Sequence, residues 1–297
     1  MRLGLLISTL SAALALAAVA GSATPSDPPI VFATGGDVHV RDSDGSVRQL
    51  TKTRWHEGSP SWSPDRRKIV YVSAKSGDAD IYVMNADGTG VRRLAGSRKD
   101  LQDQYPAWSP DGKRIAFASN RGGEEDIFVM RADGTGLRQL TKNAAWIEDQ
   151  QPRFSPDGRF IVFSSNRVAF SNPELYRMRA SDGGGLVRLT RWGSGGDLTP
   201  GDDLMGDYSP DGRRIAFVSD RSGSYAIWTM NANGKGLRRL IGHPGKNVAF
   251  PRWSPDGRTL LYTSFDSSGS ANDFRLHAIG ADGTSPRVLR AGSEADW

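Results

Sequence analysis

The chain contains no cysteine in 297 residues. An exported protein of this sequence is therefore built without disulfides and carries no lipid on a leader cysteine. Histidine is scarce as well, with four in all. His39 and His277 fall at a position where other segments carry Tyr82, Phe128, Tyr176 and Trp228, which points to packing. His56 and His243 lie in loops far apart in sequence, a poor basis for a metal or general-base site. No G-x-S-x-G elbow offers a hydrolase nucleophile. The acidic stretch from Asp197 to Asp207 lacks the D-x-D-x-D-G spacing of a calcium loop.

Long apolar runs are equally few. One only, Leu3 to Ala20, follows Arg2 and ends in small residues, Ala18-Val19-Ala20 or Gly21-Ser22-Ala23. That pattern reads as a secretory signal peptide; an uncleaved anchor is the alternative, because the run is close to the minimum of about 18 residues. The expected organisation is a leader over 1–23, a short spacer over 24–29 and one domain over 30–297. The mature protein is expected to be exported, periplasmic or extracellular, a monomer, and without stable membrane insertion after leader cleavage.

Charge is present in both signs: 38 Lys and Arg against 33 Asp and Glu give a net charge of +5 and a pI near 9.5. Much of the excess recurs at fixed positions, as in Arg66-Arg67-Lys68, Lys113-Arg114 and Arg213-Arg214. Solvated sheet edges account for such a pattern. No groove-reading helix or stacking-aromatic motif accompanies it, so nucleic acid is not an expected partner.

What the sequence does have is a repeat. An aromatic-Ser-Pro-Asp block begins at Trp62, Trp108, Phe154, Tyr208 and Trp253, and Trp297 ends the chain in the same register. The spacings are 46, 46, 54, 45 and 44 residues, which is the period of a circular array of small sheets. Within each unit the block is followed by an apolar run, a second run such as Asp126-Ile127-Phe128-Val129-Met130, an Asp-Gly or Asn-Gly pair, and a basic run such as Leu137-Arg138-Gln139-Leu140. Pro presets φ, Asp bonds the following backbone and Gly accepts φ > 0, so both reversals are hairpins and each unit has four strands.

The second strands, such as Ile69-Val70-Tyr71-Val72, are apolar on both faces and need cover on both sides. The fourth carries arginine in every unit (Arg48, Arg92, Arg138, Arg188, Arg238, Arg287), as an exposed edge would. Ile30 to Leu50 matches strands two to four of a unit with no first strand before it. Ser293 to Trp297 would supply that strand. The fold class is thus all-β: a six-bladed β-propeller of four-stranded antiparallel blades, closed by a C-terminal strand joining the N-terminal blade.

Alternating strand direction places both hairpins of every blade on one face and the longer, variable connections on the other, where binding usually resides. Arg191 to Asp207 and Val168 to Pro173 are the enlarged ones. Five residues before the leading aromatic, four units carry an acid: Glu57, Asp103, Asp149 and Asp203. At the start of the innermost strands they would sit near one mouth of the central tunnel, as a ring capturing a cationic group or a divalent metal. Alternatively they pair with the equally periodic Lys75, Arg121, Arg167 and Arg221 and serve the repeat itself. His56 stands beside Glu57.

The unit Trp108-Ser109-Pro110-Asp111-Gly112, Ser119-Asn120-Arg121, Asp126 to Met130, Asp133-Gly134 and Leu137-Arg138-Gln139-Leu140-Thr141 resembles the WD40-like repeat of the TolB family, over nearly the whole mature chain. Similar repeats occur in propellers attached to prolyl-oligopeptidase-type peptidases, in tricorn-like proteases and in oligogalacturonate lyases. The TolB resemblance implies a periplasmic binding propeller, whose partner in that family is the peptidoglycan-associated lipoprotein. Strands beginning at about Ile30 leave no room for the α/β domain that precedes the family's propeller. The peptidase relatives imply a catalytic domain and the lyases a histidine-rich manganese site, neither of which these residues supply. The expectation is a non-enzymatic module without a cofactor, binding an envelope protein or small ligand at the acidic mouth. The alternatives are a carbohydrate-active enzyme, lyase or glycosidase, using the mouth carboxylates and His56, and attachment to anionic wall polymer through the arginine-rich rim.

Overall fold

A computed structural model describes residues 27–96, 101–168, 172–191, 201–266 and 273–297. The expected leader lies outside the described residues, as do most of the 191–207 connection and the middle of the 168–173 loop. Among the described residues, 24 strands form six four-stranded antiparallel sheets. Four have their strands in chain order outward from the centre: β4–β7 (Glu57–Trp62, Lys68–Ser73, Asp80–Asn85, Arg92–Ala95), β12–β15 (Asp149–Phe154, Phe160–Ser165, Glu174–Arg179, Val187–Arg188), β16–β19 (Asp203–Tyr208, Arg214–Ser219, Ala226–Asn231, Arg238–Ile241) and β20–β23 (Lys246–Trp253, Thr259–Asp266, Arg275–Gly280, Arg287–Ala291). A fifth, β8–β11 (Asp103–Trp108, Arg114–Ser119, Asp126–Arg131, Arg138–Gln139), has the same order. The sixth joins the chain ends: β24 (Ser293–Asp296) pairs with β1 (Ile30–Thr34), followed by β2 (Asp37–Arg41) and β3 (Val47–Gln49). The six innermost strands touch one another in a closed ring in which β24 meets both β20 and β4.

The Ser-Pro-Asp block opens the β-turn between the first two strands. Ser63, Ser109, Ser155, Ser209 and Ser254 are buried. Ser63 Oγ donates to Asp65 Oδ1 at 2.6 Å and accepts from Lys68 N at 2.9 Å, while Asp65 Oδ1 also accepts from Arg67 N at 3.1 Å. The other blades repeat this wiring, as at Ser209 and Asp211. The outer hairpin is tighter for a different reason. A Cβ at Gly183 would lie 2.1 Å from Leu140 O, and at Gly234 2.3 Å from Leu189 O, both in the preceding blade. Only glycine lets one blade seat on the next there.

The second strands fill the space between blades: Tyr71, Phe117, Phe163, Phe217 and Tyr262 are fully buried, each opposite the third-strand aromatic or histidine of its own sheet. His39 and His277 do occupy that slot, opposite Phe32 and Tyr262. The edge arginines divide. Arg48, Arg92, Arg138 and Arg238 are exposed, Arg48 in an ion pair with Asp42 at 2.7 Å, whereas Arg188, paired with Glu174, and Arg287, paired with Asp27 at 2.9 Å, are half-buried. Asp27 and Pro29, within the expected spacer, are docked on the propeller: Pro29 O also accepts from Arg66 Nη1 at 2.8 Å.

Candidate functional site

The four periodic acids begin the innermost strands on the variable-loop face, and all four are buried. Three are ion-paired within their own blades. Arg121 Nη2 meets Asp103 at 2.6 Å, Arg167 Nη2 meets Asp149 at 2.7 Å, and Arg221 Nη2 meets Asp203 at 2.6 Å. Each arginine donates Nε to the serine paired with its acid, Ser119, Ser165 or Ser219, at 2.9 Å. Each also lies over the second- and third-strand aromatic pair of its blade, with Arg121 5.4 Å from Phe117 and 5.2 Å from Phe128. Acid, serine and two aromatic faces thus hold one guanidinium, an arrangement that joins charge pairing to cation–π contact.

Glu57 has no such partner, because its blade places Lys75 where the others have arginine and Lys75 does not reach it. Its Oε1 accepts from Thr53 and Ser73 hydroxyls at 3.3 Å, and Oε2 is buried without a hydrogen-bond partner among the described residues. Burial, followed by the charge of Asp37, raises its pKa above the ordinary carboxylate value. In the β20–β23 blade Val248 replaces the acid, and His243 takes the cation's place over Tyr262, with Nε2 2.9 Å from its hydroxyl.

Two residues further along each inner strand the backbone turns left-handed. Ser59, Tyr105, Gln151, Met205, Phe250 and Glu294 have φ of 47, 55, 57, 59, 55 and 52°, each at a β-bulge. None is glycine, so no turn residue marks these positions in the sequence. Neighbouring members touch: Glu294 accepts from Ser59 N, Gln151 Oε1 accepts from Met205 N at 3.1 Å, and Phe250 N lies 3.2 Å from Met205 Sδ. A Cβ on Gly58 would be 2.8 Å from Glu294 Oε2 and 3.6 Å from His56 Nε2, so His56 converges on this ring beside Glu294.

One layer deeper are Arg153, Asp207, Arg252 and Asp296. Arg252 is buried, its Nη1 donates to Pro251 O at 2.7 Å, and its pKa is lowered to about 10 by burial and by the charge of Arg153. Asp207 and Asp296 each cap the next blade, accepting from Trp253 N at 2.9 Å and Trp62 N at 3.0 Å. Around the mouth, Glu125 accepts from Gln150 Nε2, and burial with Glu148 nearby pushes its carboxyl up to about 7. Burial and the charges of Glu125 and Glu294 raise the Tyr105 phenol. Among the described residues no three His, Cys, Asp or Glu side chains gather as a metal would require.

Residues 36–205 match the family described as the TolB beta propeller domain, more than half of the chain. The chain belongs to that family. Its blades agree: the TolB of Acinetobacter baumannii superimposes with a TM-score of 0.73 at 25% identity, covering 91% of this chain and 66% of that one. Among relatives by sequence, the Tol-Pal system protein TolB of Thioalkalivibrio sulfidiphilus is 39% identical over 59 residues, 20% of this chain and 14% of its own length. An uncharacterized peptidase, YuxL of Bacillus subtilis, is 42% identical over 69 residues, 23% of this chain and 10% of its own. The chain therefore spans only a small part of these curated relatives.

Within this TolB-type propeller the residues flagged by periodicity occupy the mouth in two different ways. Asp103, Asp149 and Asp203 are neutralised by Arg121, Arg167 and Arg221 inside the blades. His56 and Glu57 stand where the arginine pattern breaks, beside the clasp. The ring centred on Tyr105, Gln151 and Glu294 carries no periodicity of residue type, and only the register places it at the centre.

Proposed function

We propose that this TolB-like propeller is an exported, non-enzymatic binding module of the cell envelope that takes a partner protein or small ligand at the channel mouth on the variable-loop face. The observation that carries the reading is the left-handed ring. Its six backbones repeat closely, yet the side chains are hydroxyl, phenol, amide, thioether, phenyl and carboxylate. Positions that serve the repeat keep their chemistry from blade to blade, as the Ser-Pro-Asp turns do; a rigid frame displaying varied chemistry is a recognition surface. The family and the apolar run over Leu3 to Ala20 support an envelope setting, and the name of the Tol-Pal relative makes a protein partner the leading class.

A photo-reactive residue at Tyr105, with another at Lys113 on the turn face as control, tests this in producing cells. One envelope protein captured from position 105 and not from 113 is the expected result. Capture of nothing specific at 105, or the same set at both, refutes the mouth as the binding site. A carbohydrate-active role draws on one observation, the Glu125 carboxyl near neutrality beside Glu148, the pairing an acid-base pair needs. Metal analysis of the purified protein and turnover of acidic oligosaccharides, lost in Glu125→Gln, would establish that alternative instead.

A further inference from the structure

On the turn face, away from the channel mouth, the β16–β19 and β20–β23 blades leave a groove of ≈ 620 Å³. Arg214, Arg238, Arg258 and Arg287 line it, with Asp282 as the one lining carboxylate. Asp282 is already occupied: its Oδ1 accepts from Thr284 N at 3.0 Å and Thr284 Oγ1 at 2.6 Å. Asp27 neutralises Arg287, whose Nη1 remains buried without a partner among the described residues. Arg238 donates one nitrogen to Asp282 O at 2.7 Å.

Another blade junction shows why this groove is open. At the junction of β8–β11 with β12–β15, Arg114 reaches across to Gly158 O at 3.3 Å and Ala180 O at 3.4 Å. Arg214 is its counterpart, facing Gly257 and Ala281, and like Arg114, which lies 5.3 Å over Phe154, it stacks on an aromatic ring, Trp253 at 4.5 Å; its guanidinium, unlike that of Arg114, makes no hydrogen bond or ion pair among the described residues. The side chain of Arg258 is likewise uncommitted among the described residues. The groove therefore presents guanidinium forks whose donors lack acceptors.

We propose that this groove is a binding site for a ligand bearing phosphate groups, with Arg214 and Arg258 as its principal forks. Guanidinium matches phosphate bidentately, and its donors gain most where acceptors are lacking. The volume lies in the range of small-molecule sites and exceeds a single phosphate, so a ligand with more than one phosphate fits it best.

Titration calorimetry at low salt with tripolyphosphate, with inorganic phosphate and with phosphatidylglycerol vesicles tests the site. The expected result is saturable binding of tripolyphosphate, weakened at least about tenfold in the Arg214→Ala, Arg258→Ala double variant. The charge-preserving Arg214→Lys, Arg258→Lys variant should also bind more weakly, because it loses the forks. Arg92→Ala, which removes the counterpart of Arg238 in another blade, should leave binding unchanged. Arginine-dependent binding of inorganic phosphate alone would assign the site to free phosphate, and of vesicles to a lipid headgroup; either supports it. No saturable binding of any probe, or equal loss in Arg92→Ala, overturns the proposal.

Discussion

Ser285 stands at φ 52°, in the slot that Gly90, Gly136, Gly185 and Gly236 fill in four other blades at 64–70°. A non-glycine residue there carries a left-handed cost of roughly 1–2 kcal/mol, and Ser285 is exposed with no contact that offsets it. Ser285→Gly should therefore stabilise the fold by about 0.5–1 kcal/mol after the added unfolded-chain entropy, a rise in Tm of about 1–3 °C for a domain this size. A scanning melt checks this; an unchanged or lower Tm would count against the strain. Arg66, at φ 57° where Gly112, Gly158, Gly212 and Gly257 stand elsewhere, should not respond in the same way, because its guanidinium holds Pro29.

At the scale of the strand and its neighbours, the third-strand slot explains why a histidine can substitute for an aromatic. His277 stacks on Tyr262 at 4.8 Å, shares a 2.8 Å hydrogen bond with Ser264 Oγ and lies 5.0 Å from His243. Burial, then the charges of His243, Lys246 and Arg275, lowers its pKa to about 4. The unfolded chain binds the proton more readily, so the stability from this group is present above about pH 6.5 and is lost as pH falls towards 4. His277→Phe should remove on the order of 2–3 kcal/mol of the acid-dependent loss between pH 7 and pH 4. Urea unfolding of both proteins at the two pH values measures it, and an equal loss in each would refute the assignment. The slot was legible in the sequence because it stands five residues before the Asp-Gly or Asn-Gly turn in five blades and six before it in the other. The left-handed ring was not: Ser59, Tyr105, Gln151, Met205, Phe250 and Glu294 share a conformation and no chemistry. Nor did periodicity distinguish a carboxylate facing the tunnel from one paired inside its blade, since Asp149 and Arg167 recur with the same spacing in either case.

For the whole molecule the decisive contacts are those that close the ring, and they come from the last five residues. Trp297 is 5% exposed, and its Nε1 donates to Arg252 O at 3.1 Å in the preceding blade. Asp296 accepts from Ser61 Oγ at 2.9 Å and Trp62 N at 3.0 Å in the following one. β24 thus joins β20 to β4 as well as completing its own sheet, and a spacing of 44 residues from Trp253 was enough to anticipate it. Deleting residues 293–297 should cost at least the roughly 3–5 kcal/mol of a buried Trp truncation and leave the β1 edge unpaired. The truncated protein should melt well below the full chain and self-associate in sedimentation, whereas Trp297→Ala should show the stability loss without the association. Restoration of the melting temperature by a synthetic peptide of residues 293–297 would attribute the loss to the missing strand. A truncated protein as stable and monomeric as the full chain would mean that the ring holds without its clasp, and that the channel-lining Glu294 and Asp296 are there for the site rather than for closure.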